Sequence, residues 1–417
     1  MNLTAEQAAA VESTAAITTI VAPAGSGKTA VLVARVIHLV DSGVQSRDIL
    51  CLVFSRHAAE EIRTRLRSAG VLECNVQTFH AHAASIIMGA NDSIRSLNSQ
   101  SIADPRTAEL ALRSLYSGEW EDCHERFGPA RPPREQRGCT LSALKRAVRD
   151  HEARGVGDPD GMANVLRRRL EEHGLVPYWQ LVPAALEIIH EARHYKHVLV
   201  DEWQDTTRNE QWLAVDPGYG HENGGTMFVV GDPRQAIFGW RGADQWGPLG
   251  ETFHLTQSFR FGSTIAGYVN TLAAGDGMPR TVGCAENPGI VFDRQPVNVF
   301  DEDLPYYVRS AMATMAKTAA VLCRTNYECQ LAHRALTRAG IAAQLVTRDP
   351  EDQLADDASA SLRVMTVHAA KGLEFDVVVV LTNPQWPGQE PTAEEQRVHY
   401  VACTRAKLVL MRLEMQV

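Results

Sequence analysis

The sequence has no basic surplus. Its 41 Lys and Arg face 50 Asp and Glu, for a net charge of −9. That counts against a histone-like or tail-driven nucleic-acid binder, but not against a local basic groove, because phosphate contacts depend on the local field. None of the eight cysteines, at 51, 74, 123, 139, 284, 323, 329 and 403, stands in CxxC spacing, which removes zinc-ribbon and thioredoxin-like readings. Free thiols in a reducing cytosol are the expectation. The longest apolar runs, such as 377–381, fall far short of the roughly 18 residues of a membrane span. The first residues, MNLTAEQAAAVEST, lack the charged stretch and apolar core of a secretory signal. A cytoplasmic chain without membrane association is expected. No 20–50-residue repeat and no low-complexity tract is found.

What remains is globular material. Of the 417 residues, 45% are hydrophobic and 22% charged, enough for about three domains. Four short apolar runs, 17–22, 49–54, 198–200 and 227–230, each lead into a polar, glycine-containing or acidic turn. Such runs point to buried parallel strands of an α/β sheet. Between the first two, Val31, Ala34, Ile37 and Leu39 line one face of a predicted helix at 30–40. A second α/β unit follows 290. There 321–323, 364–367 and 377–381 read as strands, 330–339 as a helix stopped by Gly340, and 348–360 as an acidic exposed loop. Residues 89–184 differ, being rich in Arg, Gly and Pro with helical stretches at 141–150 and 162–173. Within 126–170 eleven basic residues outnumber five acidic ones, which marks either a solvated helical face or a nucleic-acid contact.

The sharpest chemical signal is Ala22-Pro-Ala24-Gly25-Ser26-Gly27-Lys28-Thr29, set between a predicted strand and a predicted helix. That is the context a P-loop requires. Gly25 and Gly27 let backbone N–H groups surround phosphate oxygens, and the helix N-terminus adds a favourable dipole. Lys28 is placed to reach the β- and γ-phosphates of a nucleotide and Thr29 to ligate Mg²⁺; Ala22 stands where the strict pattern has glycine. The acidic partner such a loop needs ends the strand at 198–200. Asp201 would hold Mg²⁺ through water, and Glu202 would orient or deprotonate the attacking water. The two motifs together argue for nucleotide hydrolysis. A competing pattern, His190-Glu191-x-x-His194 with His197 beyond it, matches the zinc-peptidase H-E-x-x-H. It leads straight into the Asp201 strand and is set aside.

With these residues in place, the chain resembles the UvrD/Rep/PcrA family of superfamily 1A DNA helicases, through motifs ordered along residues 3 to 407. Leu3-Thr-Ala-Glu-Gln7 is similar to the family's Q motif, and 22–29 to its Walker A. Val53-Phe54-Ser55-Arg56-His57-Ala58-Ala59 resembles motif Ia, and Thr78-Phe79-His80 motif Ib. Asp201-Glu202-Trp203-Gln204-Asp205-Thr206 resembles motif II, and the stretch from Gly231 through Gln235, Phe238, Trp240 and Arg241 to Asp244 resembles motif III. Gln257-Ser258-Phe259-Arg260 is similar to motif IV. The stretch from Met365 through His368, Lys371 and Glu374 to Phe375 is similar to motif V, and that from Gln396 through Tyr400, Thr404 and Arg405 to Lys407 to motif VI.

The resemblance implies an α/β fold of two RecA-like P-loop lobes with ATP and Mg²⁺ bound between them. The first lobe would comprise 1–88 and 185–262, interrupted by a helical insertion at 89–184, and the second 263–417. By resemblance Gln7 reads adenine, Phe259 stacks on it where relatives often have Tyr, and Glu374 bonds the ribose. Gln235 couples the γ-phosphate to DNA. Arg260 and Arg405 act as arginine fingers, assigned to the second lobe, stabilising charge as the γ-phosphoryl leaves. Phe54, Phe238 and Trp240 occupy base-stacking positions, and Ser55, Thr78, His80, Arg241 and His368 match positions near the DNA backbone or bases.

Departures accompany the match. Arg234 stands where relatives carry an acidic or other polar residue, Trp203 where they carry a small residue or Phe, and Arg56-His57 where Asn-Lys is usual; these are expected to tune DNA affinity. The family-like segment 320–341 is followed by motif V within about 25 residues, too few for the family's regulatory 2B subdomain, since an independent domain needs about 50. The chain ends twelve residues after Arg405, so no fused nuclease or partner-binding tail is expected. The implied function is a monomeric ATP-dependent helicase moving 3′→5′ on single-stranded DNA and unwinding tailed duplex. The alternatives are a single-strand translocase motor with little unwinding alone and, remotely, a non-catalytic DNA-binding regulator.

Overall fold

The computed structural model of the chain describes residues 3–89, 102–103, 176–177, 180–189, 194–215, 225–243, 247–284, 288–297, 303–313, 317–346, 361–383 and 391–415. The basic stretch at 126–170, the helices expected at 141–150 and 162–173, the acidic loop at 348–360, Asp244 and His190 to Arg193 lie outside the described residues.

The first lobe is built on β1 (Ile17–Val21), β2 (Ile49–Val53) and β3 (Asn75–Thr78). A short pair, β4 (Ile102–Ala103) with β5 (Val176–Pro177), lies apart from it. The lobe resumes with β6 (His197–Val200), β7 (Thr226–Gly231) and β8 (Glu251–His254). The six strands order β3-β2-β6-β7-β1-β8 and every pairing is parallel. Strands covered on both faces read as apolar runs, and the central β2 and β6 are buried along their whole length. The alternation of side chains divides β2 between two cores. Ile49, Cys51 and Val53 join the helix Lys28–Asp41 on one face, while Leu50 and Leu52 join the helix Phe79–Gly89 and Trp203 on the other.

The second lobe repeats the plan. β11 (Ile290–Val297), β12 (Ala319–Cys323), β13 (Gln344–Val346), β14 (Leu362–Thr366), β15 (Phe375–Thr382) and β16 (Ala406–Met415) order β11-β16-β15-β12-β14-β13, again all parallel. The helix Asn326–Arg338 begins at a capping box, with Thr325 Oγ1 accepting from Glu328 N, and ends before Gly340 at φ 71°. Two strands, β9 (Gln257–Gly262) and β10 (Val282–Cys284), form a separate parallel pair at the crossover between lobes.

The helix Leu181–Glu187 buries Leu181, Val182 and Ala185 in the core that holds Leu50 and Leu52. β9 has residues turned to both lobes. Ser258 bonds the P-loop, whereas Phe261 is buried with Val378 and Val380 in the second core. Trp203, expected to tune DNA affinity, is instead 3% exposed in the first-lobe core. Its indole fills space beneath the sheet, a packing role. Arg56 and His57 are exposed at the start of the helix Arg56–Ser68. Among the described residues no helix is long and apolar enough to cross a membrane.

Candidate functional site

The strand order brings the chemistry together. β6, β7 and β1 are neighbours, so the turns after their carboxyl ends lie side by side, where open α/β sheets bind ligands. After β1 the P-loop turns through Gly25 at φ 76° and Gly27 at φ 82°, values that favour glycine. A side chain at Gly25 would meet Arg260 Cβ at 2.5 Å and Ser258 Oγ at 2.6 Å. Ser26 N–H and Oγ both donate to Pro23 O, and Gln7 Nε2 donates to Ser26 O at 2.9 Å. The first main-chain bond of the following helix runs from Val31 N–H to Gly27 O. The N–H groups of Lys28, Thr29 and Ala30 therefore have no intrahelical acceptor, and they open onto a cradle lined by glycine. This donor set suits a phosphate group.

Asp201 and Glu202 follow β6. Glu202 has φ 50°, the one non-glycine residue with positive φ among the described residues, a strained conformation of the kind held at functional sites. Burial and the neighbouring Glu202 charge raise the Asp201 carboxyl well above its ordinary range. Burial would raise Glu202 as well, but the Lys28 and Lys371 charges and a hydrogen bond from Gln204 hold it below its ordinary range. Lys28 Nζ lies 3.9 Å from Glu202 Oε1. Two adjacent carboxylates pushed apart in this way are suited to different tasks. Gln204 ties the pair to the next strand, donating to Glu202 Oε2 at 2.5 Å and accepting from Asp232 N–H at 2.9 Å. Asp232 Oδ2 in turn accepts from Gln235 Nε2 at 2.7 Å.

The second lobe meets these groups directly. Arg405, fully buried, donates from Nη2 to Gln235 Oε1 at 2.9 Å and from Nε to Val401 O. Its burial, with the nearby Arg260 charge, lowers the guanidinium to about 9, so it is still cationic at neutral pH. Arg260 lies on β9, against the P-loop, where Phe259 N–H donates to Gly25 O. Its guanidinium reaches the second lobe, bonding Glu374 Oε2 and Thr404 O, both at 3.0 Å. Arg260 thus stands at the crossover rather than on the second lobe proper. Glu374 also pairs with Lys407 at 2.6 Å. Phe259 is 55% exposed beside the loop, open to a flat ligand.

A second cluster gathers side chains from both lobes. Phe54 and Phe238 stack at 5.4 Å and 16°, with Trp240 edge-on to Phe238 at 6.3 Å and His368 tilted against it at 6.0 Å. The Arg241 guanidinium lies 5.1 Å from the Phe54 ring centre, and Lys371 Nζ 5.0 Å from that of Phe238. Trp240 is 47% exposed. Burial and the Arg324 charge keep His368 neutral, lowering it to about 4, and its Nε2 is buried with no hydrogen-bond partner among the described residues. His80 is likewise lowered to about 4, by burial and the Arg241 charge, and lies 4.0 Å from Glu210. Ser55 and Thr78 do local work: Ser55 Oγ accepts from Ala58 N and Thr78 Oγ1 from Ala81 N, each at a helix start.

Several groups in these clusters received no role from the sequence. Lys371 Nζ contacts both Asp205 oxygens, at 2.7 and 2.5 Å, and donates to Gln235 O at 2.5 Å. Arg397 Nε donates to Ala236 O at 2.6 Å. Both cations lie inside segments that resemble motifs, so their positions were visible while their partners were not. Asp276, paired with Arg234, lies in no motif.

The UvrD/REP helicase N-terminal domain family matches residues 3–247, and the UvrD-like helicase C-terminal domain family matches 343–413. The chain is 26% identical over 381 residues to the ATP-dependent DNA helicase PcrA of Staphylococcus epidermidis, covering 83% of this chain and 51% of the relative. It is 24% identical over 375 residues to PcrA of Staphylococcus aureus, with the same two coverages. It is also 25% identical over 476 residues to a probable DNA helicase of Mycoplasma pneumoniae, covering all of this chain and 84% of the relative. The chain thus spans about half the length of the PcrA relatives.

Proposed function

The chain belongs to the UvrD/REP helicase family, and from that premise we propose that it is a DNA-dependent ATPase that moves 3′→5′ along single-stranded DNA and opens tailed duplex. The observation that carries this reading is the convergence of both lobes on one pair of charges. Lys28 and Glu202 face each other at the P-loop, and Gln235 joins them through Gln204 and Asp232 while accepting a hydrogen bond from the second lobe's Arg405.

In this reading the P-loop N–H groups and Lys28 bind the β- and γ-phosphates, Phe259 and Gln7 hold the base, and Glu374 reaches the ribose. Thr29 and Asp201 would hold Mg²⁺, and bound Mg²⁺ supplies charge neutralisation at the leaving phosphate oxygens. Glu202, kept ionised by its cationic neighbours, accepts a proton from the attacking water. Arg405 and Arg260 supply positive charge where the γ-phosphoryl develops negative charge. Because Arg405 belongs to the other lobe, hydrolysis requires the lobes to be together, and this links the chemical step to motion. Phe54, Phe238 and Trp240 offer rings to successive bases, at about 1–3 kcal/mol per base, with Arg241, His80 and His368 beside them.

The second reading, the translocase with little unwinding alone, keeps the same motor residues. β13 and β14 are adjacent in the sheet and joined by residues 347–361, where an independent domain would need about 50 residues. We therefore assign no 2B subdomain to the chain. ATP hydrolysis and strand separation on 3′-tailed, 5′-tailed and blunt duplexes, at stated salt, test both readings. DNA-stimulated turnover with opening of the 3′-tailed duplex alone supports the helicase. Turnover with displacement of a strand-bound protein but no opening supports the translocase, and no stimulation by DNA refutes both.

A further inference from the structure

Arg234 stands immediately before Gln235, and its side chain turns away from the phosphate cradle toward the other lobe. Its guanidinium makes a two-pronged pair with Asp276, Nε to Oδ2 at 2.6 Å and Nη2 to Oδ1 at 3.1 Å. Nη2 also donates to Met278 O at 3.3 Å and Pro279 O at 3.0 Å. The acceptors sit in the turn after the helix Ser263–Leu272, whose Ile265, Ala266 and Val269 are buried in the second-lobe core. Gly275 at φ 90° and Gly277 at φ 75° flank Asp276, and Met278 N–H donates back to Asp276 Oδ1. The turn is therefore shaped to face one carboxylate and two carbonyls toward a single fork of donors, a geometry that suits arginine and not lysine.

The pair connects to the phosphate sensor through one buried carboxylate. Asp232 Oδ1 accepts from Arg234 N–H at 3.0 Å, and its Oδ2 accepts from Gln235 Nε2 at 2.7 Å. A displacement of the Arg234 backbone thus reaches the Gln235 amide through a rigid link. From the other side, Lys371 and Arg397 hold the carbonyls of Gln235 and Ala236, and Arg405 holds the Gln235 side chain. The turn 234–236 is one place where the two lobes are fastened, beside the Arg260–Glu374 and Lys371–Asp205 pairs, and Arg234 is its side-chain donor from the first lobe.

We propose that Arg234 is a positioning residue: by latching its turn to Asp276 it makes closure of the lobes and presentation of Gln235 to the γ-phosphate one event. This deepens the ATP-site reading and rests on it. The test uses Arg234→Ala, Asp276→Ala, the double variant, Asp276→Asn as the milder change, and Arg234→Lys. Each alanine variant should lower DNA-stimulated kcat about tenfold, within the usual span of site-to-site coupling, with KM for ATP changed less than about twofold. The double variant should be no worse than either single, and Arg234→Lys should recover only part of the loss. Independently of turnover, fluorescence energy transfer between dyes on encoded azides at the exposed Leu72 and Tyr327 should report a broader inter-lobe distance in every latch variant. An unchanged kcat with an unchanged distance distribution overturns the latch, as does a double variant whose losses multiply. If the unsubstituted protein shows no DNA-stimulated turnover while the distances still broaden, the ATP-site reading and the presentation of Gln235 both fall, and only the mechanical fastening of the lobes by Arg234 and Asp276 stands.

Discussion

Trp240→Ala isolates base stacking from charge. The indole is half-exposed and meets Phe238 edge-on at 6.3 Å, so little of it supports the core, and its removal should change folding stability by about 1 kcal/mol or less. If a base stacks there, the loss is that of one platform, about 1–3 kcal/mol, or about 5- to 150-fold in affinity. The residue is neutral, so the loss should be the same at every ionic strength. Anisotropy titrations of a labelled oligo-dT across a salt series check this: the plot of log affinity against log salt should drop without changing slope. Arg241→Ala, run in parallel, should flatten the slope by about one phosphate's worth. Affinity unchanged in Trp240→Ala would refute the stacking argument. So would a loss confined to low salt, or a large fall in the unfolding midpoint, which would place the ring in the core.

The remaining predictions concern the phosphate cradle and the lobe interface. Lys28→Ala or Glu202→Gln should abolish DNA-stimulated ATPase, measured by phosphate release; robust turnover in either would overturn the site. Arg405→Ala should lower kcat by about 10²–10³, the scale for loss of one transition-state donor, while nucleotide affinity measured by fluorescent-analogue binding changes far less; equal losses would argue against a finger. Lys371→Met leaves the Asp205 carboxylate buried without its cation, which costs about 3–5 kcal/mol where the acid is ionised. Burial already holds Asp205 up at about 6 despite the opposing Lys371 charge, and removing Lys371 raises it further. A raised acid loses stability as pH rises through its folded value, so denaturant unfolding should show this variant closer to the parent at pH 5 than at pH 8. The opposite trend would refute the pair's role.

The central strands of the sheets were legible because they are buried on both faces. The runs at 49–54, 198–200 and 377–381 stand out in any window, and each coincides with an observed strand to within a few residues. The P-loop was legible because only glycine tolerates its turns. Less visible was anything set by contact between lobes. Lys371 finds Asp205 across 166 positions and Arg260 finds Glu374 across 114, and no spacing rule reaches that far. Trp203 shows the converse error: an unusual residue inside a functional segment suggested tuning of DNA contact, while its neighbours on β6 draw it into the core. Asp276 carried no signal, since an acid between two glycines reads as an ordinary turn.

The position of Lys371 explains why nucleotide and DNA should act on one equilibrium. An ammonium has three donors and no acceptor. Here it serves Asp205, next to the segment bearing Glu202, and the carbonyl of Gln235, and its charge lies over the Phe238 ring. If the lobes part, Asp205 is left buried without its cation, Gln235 O loses its donor, and Phe238 loses a neighbour from the second lobe. Intermediate separations would break all three contacts before new ones form, so the arrangement favours two discrete states over a continuous hinge. Coupling between distant sites needs such a two-state element, biased from both ends. A base stacked on Phe238 and a phosphate read by Gln235 would each bias it, because both residues are held to the second lobe by the same cation.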